Sequence, residues 1–296
     1  SSTPFSGGLS YSNEVVTYYE KAFEIINDVE IGRFITPYGI SFDLGSQGFN
    51  WIYDVTDYQM YLKGMVDLAA HNTQELIDCK FAFIEGIPPR DVHSREPIWS
   101  DFKSYTYSSM DNDSQLSAKS ITLSDTSEMF KIKTRFTGHG HNGSVNCCEW
   151  DSKDHMISID GVERFNWEIW EETACGDNPN VSQGGTWPYA REGWCPGDLV
   201  KEYDHELTPY VNSGADVVFD YDIEDIPVND AAQGNGNYIV AMDLISYSAP
   251  NFQNDAAIVE IAAQKPKTET DLKSLSTIKH RPAKNDSAIW FEQLQI

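Results

Sequence analysis

Basic residues are scarce in this sequence. Its 296 residues include 46 Asp and Glu against 21 Lys and Arg, which gives a formal net charge of -25 at pH 7. A surface of this sign repels phosphate backbones and anionic lipid headgroups, which argues against nucleic acid and membranes as partners. Long apolar runs are also missing, since none approaches the roughly 18 residues that predict a membrane helix. The first residues, SSTPFSGGLS, lack the basic and apolar regions of a signal peptide.

Long helical patterns are nearly absent as well. Residues 13–26 fit a helix face, but the pattern there does not separate a helix from a hairpin. Elsewhere the apolar residues alternate with a period of two and are rich in β-branched and aromatic types, bounded by Gly and Asn clusters. The clearest runs are KIKTRFTG (131–138), ADVVFDYDI (215–223) and NYIVAMDLISYSA (237–249). Many short strands separated by turn residues predict an all-β sandwich or jelly roll.

Composition divides the chain into three parts. Residues 86–102 contain three prolines and no periodicity, which is typical of a linker. From residue 262 the sequence becomes basic and polar, and it closes on one further strand-like run, AIWFEQLQI. We therefore predict an N-terminal domain over 1–92, a C-terminal domain over 93–261 and an extension over 262–296.

The number of cysteines is odd. Cys79 lies in an alternating apolar run and is predicted to be a buried strand residue. Cys175 and Cys195 flank a loop rich in Gly, Pro and Asn, which makes them the best candidates for a disulfide and for an oxidising compartment. With Cys147 and Cys148, one bridge is plausible, two are possible, and one thiol at least is left over. No CxxC pair occurs, so a thiolate zinc site is disfavoured.

Residues 136–151, FTGHGHNGSVNCCEWD, contain the densest set of candidate site residues. His139 and His141 are two apart on a strand end, as in some metal pairs, but the sequence supplies no convincing third ligand. A carboxylate with aromatic neighbours fits better, because aromatic faces stack on sugar rings and carboxylates bind sugar hydroxyls. Glu149 and Trp150 provide this chemistry, and a second loop adds Trp187, Tyr189, Arg191 and Trp194. Core packing is the ordinary role of most tryptophans.

Glu75, in HNTQELID, is a second carboxylate candidate. A single Glu is usually a solvated surface residue, and in so acidic a chain it is a weak signal.

Three stretches together resemble the bacterial peptide:N-glycosidase F family. They are IGRFITPYG followed by WIYDVTDYQMYL, GHGHN with CCEWD, and CGDNP with TWPYAREGWCPG. The resemblance implies two side-by-side, eight-stranded jelly-roll β-sandwich domains, the first lacking its N-terminal strands, with the site in the cleft between them. It also implies an amidase that cleaves the bond between asparagine and the innermost N-acetylglucosamine of an N-glycan.

The resemblance assigns roles to individual residues. The family's glutamate falls on Glu149 and its histidine on His141, while His139 replaces a tryptophan. The arginine falls on Arg191, and a glutamate of the first domain falls near Glu75. The resemblance therefore implies that His139, His141, Trp150, Arg191 and Trp194 bind substrate, and that Glu149 and Glu75 are catalytic. The family also pairs Cys175 with Cys195, whereas its second bridge, from Cys147 to the position of Asp151, cannot form.

The stretch IGRFITPYG is itself expected to be structural, a strand that ends in a turn with Arg33 pointing out of it. In the family the preceding strand carries an essential aspartate in a Trp-Asp-Arg stretch. No Trp-Asp precedes Ile31 here, and the usual separation falls on Asn13. A glycan-binding relative with little turnover is therefore an alternative. A copper monooxygenase of related architecture is a lower one, since no second His pair matches His139 and His141.

The resemblance further implies N-glycosylated proteins or peptides as partners, a monomer, a secreted or periplasmic location, and neither cofactor nor metal. The type of glycan and the tolerance of core fucose are left open by the sequence.

Overall fold

The computed structural model describes most of residues 28–252. Its described ranges are 28–39, 50–70, 79–83, 85–99, 102–142, 145–178, 180, 183–225, 236–252 and 294–295, and for 141–142, 145–146 and 294–295 the backbone alone is described. Within these ranges no helix is long and apolar enough to cross a membrane. The ambiguous segment 13–26 and most of the C-terminal extension lie outside the described residues.

Two antiparallel sheets pack face to face over residues 92–247. Five strands form the first sheet: β2 (Val92–Pro97), β3 (Lys103–Thr106), β5 (Met129–His139), β10 (Tyr203–Glu206) and β12 (Asn237–Tyr247). Four strands form the second sheet: β4 (Lys119–Thr122), β8 (Asp154–Ile159), β9 (Val162–Glu168) and β11 (Asp216–Ile223). The all-β prediction is confirmed, and the three runs with period-two alternation correspond to β5, β11 and β12.

The remaining elements are short. They are β1 (Asn50–Trp51), paired with β13 (Leu294–Gln295), the ribbon of β6 (His141–Asn142) with β7 (Val145–Cys148), the helix α1 (Tyr107–Asp111), and 3-10 turns at Thr56–Tyr58 and Thr208–Tyr210. The ribbon projects directly from the end of β5, and it therefore places the loop after β7 at one end of the sandwich.

The core lies between the two sheets. In β5, Ile132 and Phe136 face it and are buried. On β11, Phe219 and Tyr221 face it from the other sheet. Because side chains alternate across a strand, the lysines and arginine between these β5 residues must lie on the outer face.

That outer face is covered by residues from the N-terminal part of the chain and by Glu202, just before β10. Arg135 is bound by Glu30 at 2.9 Å and by Glu202, and Lys133 is bound by Glu202 at 3.1 Å. Strand β5 is thus buried on both faces, by the core on one side and by ion pairs on the other.

Arg33 joins the same layer. Its guanidinium donates to Glu30 Oε1 at 2.7 Å, to Thr137 Oγ1 at 2.9 Å and to the carbonyl oxygen of Ile239 at 3.0 Å. The side chain is buried, so the expectation that it points outward is wrong. A buried guanidinium requires such partners, because leaving it unpaired would be costly.

Asp57 makes the free energy of unfolding depend on pH, because its ion pairs in this layer lower its pKa. Burial would raise the pKa of Asp57, but Lys131 at 2.9 Å, Lys133 at 3.2 Å and the hydroxyl of Tyr247 at 2.6 Å outweigh it and lower the pKa. A carboxyl whose folded pKa is depressed contributes stability that is present above its unfolded pKa, about 3.9, and is lost as the pH falls through the folded value. We expect Asp57→Asn to reduce the free energy of unfolding by about 2 kcal/mol at neutral pH and to flatten its acid decline.

Urea titrations between about pH 3 and pH 7 measure this effect. Asp204→Asn is a matched control, since Asp204 contacts the same two lysines from a more exposed position. Acid curves of equal steepness for Asp57→Asn and the parent would contradict the assignment.

Two local predictions were wrong. Residues 79–83 form no strand, Cys79 is half-buried, and Phe83 is 69% exposed. The linker-like stretch contains β2, which pairs with β12 from Val92↔Tyr247 to Pro97↔Asp243. Its proline is accommodated because it ends a strand that lies at the sheet edge. The domain limits at 92 and 261 stay a prediction.

Candidate active site

Glu149 and Trp150 lie in the loop directly after β7. The backbone N–H groups of Cys148 and Glu149 both donate to the carbonyl oxygen of Gly140 at 2.9 Å, which closes the turn of the ribbon. A Cβ on Gly138 would overlap the carbonyl oxygen of Cys148, so the glycine permits the close approach of the two strands. The backbone of the GHG run, residues 138–140, therefore helps to position Glu149.

The two cysteines before Glu149 are bonded to each other and are buried. The family-type bridge to residue 151 is absent, as the sequence implied, and a bond between neighbours, Cys147 and Cys148, stands in its place.

Arg191 binds Glu149 from beneath. Its Nε lies 3.2 Å from Glu149 Oε1, and the guanidinium is 0% exposed, whereas the carboxylate is 17% exposed. The other donors bind Thr186 O and Oγ1 at 2.9 Å and Tyr189 O at 2.8 Å. With its donors used inside the protein, Arg191 positions the carboxylate, and the direct contact with substrate expected for it is not favoured by this geometry.

Aromatic rings surround the guanidinium. Its central carbon lies 4.4 Å from the ring centroid of Trp150, 4.8 Å from that of Trp194 and 5.6 Å from that of Tyr38. Such stacking suits the planar, weakly hydrated arginine side chain. Trp150 also makes an edge contact with Tyr189, and Tyr189 is 60% exposed. The loop that carries Glu149 and Trp150 therefore meets the loop 187–194.

Trp194 is a support within this cluster. Its indole N–H donates to the carbonyl oxygen of Gly138 at 2.7 Å, and the residue is 5% exposed. The expectation that Trp194 contacts substrate directly does not fit this burial, because the ring is covered by protein on its polar edge and stacked by Arg191 on its face.

The stretch IGRFITPYG brings Tyr38 to the site. Backbone bonds tie it to the loop at 197–200: Ile35 N donates to Asp198 O at 3.0 Å, and Gly197 N to Ile35 O at 2.9 Å. Gln183 Oε1 then accepts the N–H of Tyr38 at 2.8 Å. Sequence reasoning missed Tyr38, although its place beside a Pro-Tyr-Gly turn was a usable signal.

Electrostatics keep the Tyr38 hydroxyl protonated. Burial raises its pKa, Arg191 opposes the rise, and Glu149 adds to it. Because its pKa is raised, the half-buried phenol is neutral at physiological pH and can act as a hydrogen-bond donor near the Glu149 carboxylate.

His139 lies behind Trp194. The two rings stack with centroids 5.2 Å apart, and His139 Nε2 lies 2.9 Å from Thr137 Oγ1. Burial, with Arg33 as a second cause, lowers the pKa of His139 to about 4, so the ring is neutral at pH 7. Its expected role in binding substrate stays a prediction.

The side chains of two predicted site residues, His141 and Glu75, are not described by the structure. For His141 the backbone is described, paired with Cys148, but the side chain is not. Glu75 lies outside the described residues. Among the residues that are described, no group of three or more His, Cys, Asp and Glu side chains could hold a metal ion.

The predicted bridge between Cys175 and Cys195 is present, with Cα atoms 5.0 Å apart. It closes a loop that includes Thr186 and Tyr189, the acceptors of Arg191. We expect Cys175→Ser/Cys195→Ser to lower the free energy of unfolding by about 3 kcal/mol, as chain entropy predicts for a loop of this length. Urea unfolding without reductant measures it. An unchanged midpoint would contradict a stabilising role.

Comparison with known proteins finds similarity in sequence and in fold. Residues 106–246 match the family model described as Peptide-N-glycosidase F, C terminal. A curated relative from Elizabethkingia miricola, Peptide-N(4)-(N-acetyl-beta-D-glucosaminyl)asparagine amidase F, is 28% identical over 246 residues, which cover 76% of this chain and 67% of the relative.

Two solved structures are similar in fold. The crystal structure of a peptide-N(4)-(N-acetyl-beta-D-glucosaminyl) asparagine amidase matches with a TM-score of 0.50 and 23% identity, over 74% of this chain and 73% of that chain. PNGase F, described as a glycosylasparaginase from Flavobacterium meningosepticum, matches with a TM-score of 0.50 and 24% identity over the same shares. The likeness confirms the predicted jelly-roll β-sandwich class, while eight strands in each domain stay a prediction.

Proposed function

We propose, from the confirmed resemblance of this chain to the peptide-N-glycosidase F family, that it is an amidase acting on N-glycosylated proteins or peptides. It would cleave the amide between asparagine and the innermost N-acetylglucosamine. The observation that carries the proposal is the Glu149 carboxylate, partly exposed and bound at 3.2 Å by the buried Arg191. By the sequence resemblance, Glu149 corresponds to the family's functional glutamate.

The exposed rings suit a carbohydrate. Trp150 follows Glu149 and its ring contacts that of Tyr189, and the half-buried Trp187 belongs to the same loop as Tyr189. These rings would offer apolar faces to the C–H surfaces of a sugar. Glu149 would accept hydrogen bonds from sugar hydroxyls, and His139 and His141 would extend the binding surface. Arg191 and Trp194 would support these groups from the protein side.

Amide hydrolysis requires an activated water and a donor to the developing oxyanion or leaving amine. Glu149 would orient the water and polarise it. The neutral Tyr38 hydroxyl lies beside the same carboxylate and could donate to the substrate. A second carboxylate would come from the N-terminal domain, and Glu75 is the residue that we propose for it.

The substrate and the disulfide chemistry support a secreted or periplasmic protein, since disulfides persist in oxidising compartments. We propose that the chain acts as a monomer without a cofactor.

A second candidate function is N-glycan binding with little turnover. The observation that favours it is the replacement of the family's Trp-Asp stretch, whose aspartate falls on Asn13. An amide side chain can orient a water but cannot take its proton.

Incubation with a denatured, chitobiose-bearing glycopeptide decides between the two. Conversion of the glycosylated asparagine to aspartate, detected by mass spectrometry, is the result expected of the amidase. Saturable binding without conversion would favour the glycan binder, and neither conversion nor binding would refute both.

A further inference from the structure

The carboxyl group of Glu192 lies on the opposite side of the chain from Arg191. Adjacent residues of an extended segment point in opposite directions, and Glu192 forms an isolated antiparallel bridge with Trp170. Arg191 therefore reaches Glu149, while the Glu192 side chain is 0% exposed inside the sandwich, beside His155. The proposed hydrolysis does not use this buried carboxyl group.

Glu192 bonds to both ends of the loop that carries Glu149. Its backbone N–H donates to the carbonyl oxygen of Glu149 at 3.0 Å, and its Oε1 accepts the N–H of Lys153 at 3.2 Å. Its own carbonyl oxygen accepts from Gly138 N at 2.9 Å, which anchors it to β5. The loop 149–153 is thus tied to the central sheet through one residue.

We propose that Glu192 is a positioning residue, whose carboxyl group and peptide unit together fix residues 149–153 and thereby fix the Glu149 carboxylate against Arg191. The inference rests on the proposed function, because it matters for catalysis only if Glu149 acts on substrate.

The surroundings indicate that this carboxyl group is neutral. Within the described residues, Oε2 has no hydrogen-bond partner, although an ionised carboxylate would need several donors. His155 Nε2 lies 3.3 Å from Oε1, and His155 Nδ1 lies 2.7 Å from the hydroxyl of Tyr221. The consistent assignment is that Nε2–H donates to Glu192 and that Nδ1 accepts from Tyr221.

The pKa shifts of Glu192 and His155 both favour the uncharged form of the side chain. Burial raises the pKa of Glu192 to about 9 and lowers the pKa of His155 to about 3. Three charged groups act on Glu192: Lys153 lowers its pKa, and Asp151 and Glu168 raise it. The other titratable groups that interact with it are the phenols of Tyr203, Tyr221 and Tyr238.

A neutral Glu192 couples folding to one proton. Its folded pKa lies above the unfolded value of about 4.3, so the native state holds a proton that the unfolded state has lost. Protonated Glu192 stabilises the folded state in full below the unfolded pKa, and this contribution to the free energy of unfolding is lost as the pH rises through about 9. Relative to Glu192→Gln, the unfolding equilibrium constant of the parent should rise about tenfold per pH unit across this window.

Glu192→Leu and Glu192→Gln separate positioning from general stability. Gln retains an acceptor for the Lys153 N–H, whereas Leu fills similar volume and cannot accept. We expect kcat of the folded protein to fall on the order of a hundredfold in Glu192→Leu, with KM changed far less, because a carboxylate displaced by about 1 Å loses this much. Glu192→Gln should restore most of it. Glu163→Gln, an exposed acid on β9, is the control for loss of charge alone.

Crystal structures of the two variants give a readout that does not depend on turnover. The contact between Glu149 Oε1 and Arg191 Nε should persist in Glu192→Gln and be lost in Glu192→Leu. Retention of the contact in both variants would overturn the proposal, and an equal pH slope of unfolding for the parent and Glu192→Gln would overturn the assignment of a neutral Glu192 carboxyl group. A parent without turnover would refute the proposed function, while the crystal structures would still decide whether Glu192 positions Glu149.

Discussion

Arg191→Lys should be the most damaging single substitution at the site. Lysine has one nitrogen, so it cannot bind Glu149 and the oxygens of Thr186 and Tyr189 together, as the guanidinium does. These hydrogen bonds are partly buried, and a fully buried acceptor that loses its donor costs about 1–3 kcal/mol. We expect the free energy of unfolding to fall by about 3 kcal/mol. We also expect kcat/KM to fall on the order of a hundredfold or more, because the freed carboxylate is misplaced.

Urea unfolding and steady-state kinetics on the folded protein measure the two effects separately. Arg164→Lys is a matched control, since Arg164 stacks on Tyr210 at 4.7 Å but is exposed. It should change stability by less than about 1 kcal/mol. An Arg191→Lys protein as stable and as active as this control would contradict the positioning role.

Glu149→Gln should lower kcat on the order of a hundredfold while the fold persists. Glutamine keeps the shape and offers an amide oxygen to Arg191 Nε, so the contact at 3.2 Å can be retained. What it loses is the negative charge that would orient and polarise water. The free energy of unfolding should therefore change by about 1 kcal/mol or less.

The measurement is glycan release from a denatured glycopeptide at saturating substrate. Glu172→Gln, an exposed glutamate in the neighbouring loop, controls for loss of one acid from so acidic a chain. Turnover that survives Glu149→Gln unchanged would defeat the site assignment. If the parent turns over, a residue other than Asn13 supplies the second acid, and Glu75 or Asp54 would be examined first.

Local patterns predicted much of the fold and of the site. Period-two alternation predicted β5, β11 and β12, because strand pleating alone sets that period. The cysteines around a Gly- and Pro-rich loop predicted the 175–195 bridge. Clusters of Trp, Glu and Arg in two loops predicted the candidate site residues, and the structure brings Glu149, Trp150 and Arg191 into contact.

Local patterns failed where the outcome depended on what covers a segment. The run at 79–83 alternates like a strand, yet the structure does not form a strand there. The linker-like stretch became β2 because β12 offered it a partner edge. Alternation predicts that a segment has one apolar and one polar face, but it does not predict which segment packs against either face.

The sequence by itself determined the all-β class, the two-faced strands, the Cys175–Cys195 bridge and the two loops in which Glu149, Arg191 and their aromatic neighbours are concentrated. Only the tertiary structure decided that Lys133 and Arg135 are buried under Glu30 and Glu202, that Tyr38 reaches the site, and that Glu192 lies behind it. The physical reason is that spacing and residue type act over a few residues, whereas these contacts join segments more than thirty residues apart. The burial that sets the charge of Glu192 and His155 exists only after the two sheets have packed.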